Sequence, residues 1–165
     1  MSDRIPMTPR GKALLDEELR RLKSNDRPRI VKEIEIARAH GDISENAEYH
    51  AAKERQGQIE ARIRVLDDRL ARAQVIDGRG QSEDRVSFGA TVVLSDSASG
   101  EEVTYTIVGE DEADIARGLI SVTSPVARAI MGKERDASVR VQVPKGMREL
   151  EILEIRFELT LVGAS

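Results

Sequence analysis

Ile59, Ile63, Leu66, Leu70 and Ala73 follow one another at steps of four, three, four and three. That is the a/d seam of paired helices, and it leaves the segment little choice but a helix that buries one narrow stripe. Leu15, Leu19 and Leu22 are spaced four then three, and Ile30, Ile34 and Ala37 repeat the spacing, with charged residues between them. Thr8-Pro9 is a sound helix start, since Pro at the first helical position loses an N–H that would be unpaired anyway. Asn25-Asp26-Arg27-Pro28 is expected to interrupt the first helix, as a kink or a short break. A glycine stop at His40-Gly41-Asp42 separates two helices. Helices of some 30 residues reach about 45 Å. The pattern therefore predicts a long antiparallel hairpin with one tip, over residues 1–76 with the tip at 40–50.

Beyond it the period changes. Asp77 to Asp84 is Gly-rich, polar and aperiodic, a linker over 77–84. Strands are expected at Ala90–Leu94, Val103–Val108, Leu119–Val122 and Val139–Val143, with a longer one from Glu149 to about Leu161. Val139, Val141 and Val143 alternate with Arg140 and Gln142, as in a half-buried strand. Ser124-Pro125 opens one short helix and Gly132 stops it. The fold class is α+β: an N-terminal antiparallel helical hairpin, then a small antiparallel β domain with one short helix over 85–165. No function is attached to Thr160–Ser165.

Composition narrows the chemistry. Aromatics are 2% of 165 residues, too few for a stacking platform for single-stranded bases. With no Cys, disulfides, thiolate catalysis and Cys-based zinc sites are excluded. Residues 1–76 hold 16 Lys+Arg against 14 Asp+Glu, a net of +2, and residues 77–165 hold 10 against 16, a net of −6. The second half is thus poorly suited to coating a nucleic acid, and any such contact belongs to the first. No apolar run approaches the ~20 residues that span a bilayer, and Met1–Met7 lacks a signal-peptide core. No membrane contact and a cytoplasmic location are expected.

Both histidines, three carboxylates and one tyrosine crowd the tip, His40-Gly41-Asp42-Ile43-Ser44-Glu45-Asn46-Ala47-Glu48-Tyr49-His50. Two readings are open. Asp42 as N-cap and Glu45 three residues on make a capping box for the second helix, with acidic residues complementing its dipole. Alternatively, the paired carboxylates contact Mg²⁺, a hard cation that takes oxygen ligands. The histidine spacing does not suit zinc. Two carboxylates on an exposed tip are an incomplete site, so a catalytic tip would have to complete another protein's active site. Arg38 and Lys53, just below the tip, are either solvated charges or holders of a phosphate backbone.

The segment from His40 to His50, continuing Ala51-Ala52-Lys53-Glu54, closely resembles the tip of the bacterial Gre transcript cleavage factors. A second stretch resembles the same family: Gly109-Glu110-Asp111-Glu112-Ala113-Asp114, then Ser121 to Lys133. The resemblance runs from Pro6 to the last strand and is nearer the GreA-like than the GreB-like branch. It implies a coiled-coil hairpin and a C-terminal domain of FKBP-like fold that docks on RNA polymerase. The hairpin would enter the secondary channel and reach the active site of a backtracked enzyme, whose nascent RNA 3′ end is extruded there. By the same likeness, Asp42 and Glu45 match the acidic residues that help hold a second Mg²⁺, shared with polymerase, and position the attacking water. The isolated protein would hold no cofactor. Cleavage would be the polymerase's own, so the chain is not expected to be an enzyme.

Arg38 and Lys53 lie where the family places residues that contact the extruded RNA. Lys53 keeps the charge of an Arg but loses its planar fork. Thr123, Ser124 and Pro125 match the motif that meets the β′ subunit at the channel rim, and the acidic Gly109–Asp114 turn serves the same docking or is a solvated loop. A monomer is expected. Three other readings compete: a secondary-channel regulator that inhibits without cleaving, a prolyl isomerase suggested by the FKBP-like fold, and a plain helical scaffold. An intact Asp42/Glu45 pair argues against the first, and the shortage of pocket aromatics (Phe88, Tyr105, Phe157) against the second. The third leaves two family motifs unexplained.

Overall fold

The computed structural model describes residues 3–42, 45–78 and 81–157. In chain order these form β1 (Ile5–Met7), α1 (Pro9–Arg21), a π-helical turn (Leu22–Asp26), α2 (Arg27–Arg38), α3 (Ala47–Ala71) and β2 (Ala73–Val75). Then come β3 (Thr91–Asp96), β4 (Glu102–Val108), β5 (Leu119–Ser121), α4 (Pro125–Ile130), β6 (Ser138–Val143) and β7 (Gly146–Arg156). Contacts divide the chain into two compact units: Leu14–Arg72, and Asp3–Ala13 together with the residues from Ala73 onward. By contact, β1 and the first turn of α1 thus belong with the sheet.

In the first unit the helices pair antiparallel. Leu15, Leu22, Ile30 and Ala37 are buried on one arm, and Ala52, Ile63 and Leu66 on the other. The steps along the first arm are seven, eight and seven, so one residue too many separates Leu22 from Ile30 for a continuous heptad. The π turn absorbs it. The Arg27 N–H donates to the Leu22 carbonyl, five residues back, and the stripe beyond the turn again faces α3. The expected kink or break at Asn25–Pro28 is therefore corrected to a continuous helix with a widened turn. Pro28 follows at the second position of α2, where its missing N–H and bulky ring are accommodated by that turn.

Ion pairs lace the two arms. Arg62 forks onto Glu18 at 2.7 and 2.8 Å, Arg27 onto Glu60 at 2.9 and 2.8 Å, and Arg55 meets Glu33 at 2.7 Å. Hydrogen bonding from Arg62 holds the Glu18 carboxyl below the usual carboxylate range, and Arg27 does the same for Glu60. These pairs are partly exposed and serve chiefly to fix the register of the arms.

The second unit is a five-stranded sheet in the order β5-β4-β3-β7-β6. Four strands are antiparallel, but β5 runs parallel to β4, so the expected all-antiparallel domain is corrected to a mixed sheet. The segment between β4 and β5, which includes two short 3₁₀ turns, is long enough to carry the chain back to the same end of the sheet. In β7, Leu150, Ile152 and Ile155 are buried, a break in alternation matched by a shift of register between Val93 and Leu94 of β3. A bulge at that point takes up the extra residue. The expected continuation of this strand towards Leu161, and the tail Thr160–Ser165, fall outside the described residues. Ala127 and Ile130 of α4 join the sheet's core with Val92, Leu94, Ile107 and Ile152. A separate parallel pair, β1 with β2, brings Ile5–Met7 beside Ala73–Val75. Among the described residues no helix is long and apolar enough to cross a membrane.

Candidate functional site

The tip is built from the end of α2 upward. Past Arg38 the chain makes a last turn, with the His40 N–H bonded to the Ala37 carbonyl. Gly41 has φ of 138°, a left-handed conformation that side chains rarely adopt, and it reverses the chain. Glu45 donates its N–H to the Asp42 carbonyl at 3.2 Å. The cap of α3 is Asn46: its side-chain oxygen accepts from the Tyr49 N–H at 3.0 Å, while its amide nitrogen donates across to the Ala37 carbonyl.

The capping box expected from Asp42 and Glu45 is thus replaced by an Asn46 cap that also ties the two arms together. Asn46 accepts from the N–H at the third position of α3 and adds a second donor to the Ala37 carbonyl, which already takes the His40 N–H, whereas a carboxylate offers only acceptors. Asp42 and Glu45 are both exposed at the tip, and neither caps the helix. They line one open depression with His40, Asn46, Ala47 and Glu48. His40 Nδ1 lies 3.5 Å from Glu48, and the Tyr49 and His50 rings meet edge to face with centroids 5.5 Å apart.

Among the described residues no group of three or more His, Cys, Asp or Glu is arranged to hold a metal ion. The donor set at the tip is hard oxygen on flexible exposed carboxylates. It fits Mg²⁺ only as a partial shell, with the remaining ligands supplied by something else.

Arg38 and Lys53 are exposed, and Lys53 reaches Gln56 at 3.2 Å. Each follows a buried alanine, Ala37 and Ala52, that faces the other helix. On antiparallel helices this puts both cations on one side of the hairpin. The opposite side carries a shallow groove of Ile36, Ala37, Ala51 and Ala52, edged by Glu33, Glu48 and Arg55.

In the other unit, Ser124 caps α4 by accepting from the Ala127 N–H at 3.3 Å, with Pro125 at the first helical position. Thr123 donates its N–H to the Ser121 hydroxyl at 3.1 Å, and the two hydroxyls lie 2.8 Å apart. Thr123 and Pro125 are exposed, so the rigid cap displays them.

Sequence reasoning missed Glu112. It was part of an acidic run expected in docking or in solvent, yet its side chain is buried and accepts from the Thr8 hydroxyl and, at 3.0 Å, from Arg10. Those partners are 104 and 102 residues away in sequence, and no local pattern announces them.

Comparison with known proteins matches residues 5–75 to the family described as "Transcription elongation factor, N-terminal", and residues 81–157 to "Transcription elongation factor, GreA/GreB, C-term". The chain is 56% identical over 158 residues to transcription elongation factor GreA of Trichlorobacter lovleyi, covering 96% of this chain and all of that protein. It is 57% identical over 154 residues to GreA of Anaeromyxobacter sp. (strain K), covering 93% of each. A solved structure of GreA factor homolog 1 (Gfh1) from Thermus thermophilus is 28% identical, covers 93% of this chain and 99% of that one, and has a TM-score of 0.42. Matched by both family models along nearly its whole length, the chain belongs to the GreA/GreB family of transcription elongation factors.

Proposed function

We propose that this chain binds RNA polymerase through its secondary channel and stimulates cleavage of the 3′ end of backtracked nascent RNA, which rescues arrested complexes. The observation that carries the reading is the division of labour at the tip: Asn46 caps α3, and Asp42 and Glu45 present their carboxylates in one exposed depression. The hairpin acts as a coiled coil, and the second unit is an FKBP-like domain whose Thr123, Ser124 and Pro125 meet the β′ subunit at the channel rim. Residues 1–76 and 85–165 serve as separate functional halves joined by the 77–84 linker. The factor works as a monomer in the cytoplasm, where polymerase is.

The chemistry follows from what the tip lacks. Asp42 and Glu45 are too few to hold a divalent cation alone, so they complete a site whose other ligands belong to polymerase and RNA. Mg²⁺ bound there would supply positive charge to a phosphodiester under attack. The carboxylates orient the attacking water by accepting its hydrogen bonds, and Arg38 and Lys53 hold the extruded RNA by its phosphates. Water's oxygen joins phosphorus as the bond to the 3′ oxygen breaks. The excised fragment keeps a 5′ phosphate and the retained RNA regains a 3′ hydroxyl, from which elongation resumes. Polymerase performs the hydrolysis, and this chain is a cofactor protein and no enzyme by itself.

The test is RNA cleavage in a backtracked elongation complex with Mg²⁺. Wild type is expected to release short 3′ fragments. Asp42→Asn, which leaves the Asn46 cap in place, is expected to bind equally and release none beyond the polymerase's basal level. Equal cleavage by both would remove Asp42 from the mechanism. Binding without stimulation by either would make the chain a channel-blocking regulator.

A further inference from the structure

The buried Glu112 has no part in the tip or the docking motif, and its surroundings are built around it. It lies on a 3₁₀ turn, Glu110–Glu112, that follows β4, and its side chain meets Thr8 and Arg10 at the start of α1. Thr8 caps α1 with its hydroxyl oxygen, accepting from the Gly11 N–H at 2.9 Å, and gives the hydroxyl proton to Glu112. Arg10 occupies the second helical position, where a cation opposes the helix dipole; Glu112 places a carboxylate at that end and pairs with Arg10 at 3.0 Å. One buried carboxylate thus completes a cap, offsets a misplaced cation and closes the gap between two segments far apart in sequence.

Two glycines make room for it. Gly109 has an ordinary φ of −70°, which any residue could adopt, yet a Cβ there would stand 2.6 Å from the Pro6 carbonyl oxygen. A Cβ at Gly11 would stand 2.7 Å from the Glu112 carboxylate. Gly109 is needed for space against backbone, and a side chain at Gly11 would push the Glu112 carboxylate off Thr8, so both fit a close approach. The anchored segment is short: β1 pairs only with the three residues of β2, and Ile76 donates to the Met7 carbonyl at 2.8 Å. Such a ribbon holds poorly by itself. Yet α1 begins in it and continues through the π turn into α2, whose end carries the tip.

From this we infer that Glu112 is the anchor of the chain's N-terminal segment: through Thr8 and Arg10 it holds β1 and the first turn of α1 to the sheet unit. The inference rests on geometry alone. Within the family motif Gly109–Asp114, it assigns the acidic turn to the chain's own helix instead of to polymerase or solvent.

Hydrogen exchange on the full chain tests the anchor. In Glu112→Ala the amides of Gly11, Lys12 and Ile76 are expected to exchange about tenfold faster or more, the scale set by losing buried charge-assisted hydrogen bonds. The amides of Ile107 and Ile152, inside the sheet, should be unchanged and so certify the fold. Glu112→Gln, whose amide oxygen still accepts from Thr8, should recover most of the protection, and Thr8→Val should lose it from the other side. Unchanged exchange in Glu112→Ala would overturn the anchor.

Discussion

Asn46 joins a donor and an acceptor on one short side chain, and the tip uses both ends: the oxygen for the Tyr49 N–H, the amide for the Ala37 carbonyl. Removing it leaves the Tyr49 N–H without its acceptor and takes the cross-arm bond from the Ala37 carbonyl, which keeps the His40 N–H. Asn46→Ala is therefore expected to cost about 1–2 kcal/mol in a denaturation titration followed by helical signal. Asp42→Asn, away from the cap, should change stability by less than about 0.5 kcal/mol. The local sequence allowed either arrangement, because Asp42 with Glu45 and Asn46 with Tyr49 both fit the spacing of a cap and its third helical residue. What decided between them was the position of the Ala37 carbonyl, nine residues back and on the other arm. That is a tertiary fact, invisible to a rule about one helix end. The carboxylates, the two cations and the Thr123–Pro125 motif were legible as residues; which of them held the turn was not.

At the scale of elements, helices were readable because their stripes are long. Leu15, Leu22, Ile30 and Ala37 mark one face over six turns, and Asn25–Pro28 forecast an interruption, though the π turn that absorbs the extra residue between Leu22 and Ile30 needed the structure. If the π turn exists to restore register, removing one residue removes the need for it. Deleting Ser24 together with Pro28→Ala, which spares an ordinary α-helix a proline in its interior, is expected to keep the midpoint of a thermal scan at 222 nm within about 5 °C. Deleting Val31 instead turns Ile34 and Ala37 out of the seam by about 100° and should lower that midpoint by about 10 °C or more. Strands gave a weaker signal. The core strands β3, β4 and β6 are close to expectation, while β1 and β2 have three residues each, one with a central proline, and fall below any periodic test. The parallel sense of β5 depends on how the preceding loop returns, which spacing along a strand does not encode.

Among the described residues, each unit carries its own paired opposite charges. In the hairpin Arg62 lowers the Glu18 carboxyl by hydrogen bonding. In the sheet unit Arg148, with the N–H groups of Ala98 and Ser99, lowers Asp96, whose side chain is largely buried at the β3 turn. Each carboxyl titrates lower in the folded chain than in the unfolded one. Across that interval the unfolded chain binds more protons, so stability rises with pH. Both contributions are complete above the ordinary carboxylate range near pH ~4 and drain away as pH falls below it. Unfolding titrations from pH 6 downward should show that loss, and Arg148→Met, which removes the largest cause at Asp96, should flatten the part belonging to the sheet unit. The division of the sequence into a helical half and a β half was plain from its change of period. The Glu112 anchor, which gives the first turn of α1 to the β half, spans more than 100 residues and could not be read from any window.

Because the cap of α3 is Asn46, that helix start does not depend on the carboxylates of Asp42 and Glu45, and inheritance can treat cap and charge separately. A one-base change in the Asp42 codon can give asparagine and leave the Asn46 cap in place. On the proposed function, selection then has a short path from a factor that rescues stalled transcription to one that merely occupies the enzyme.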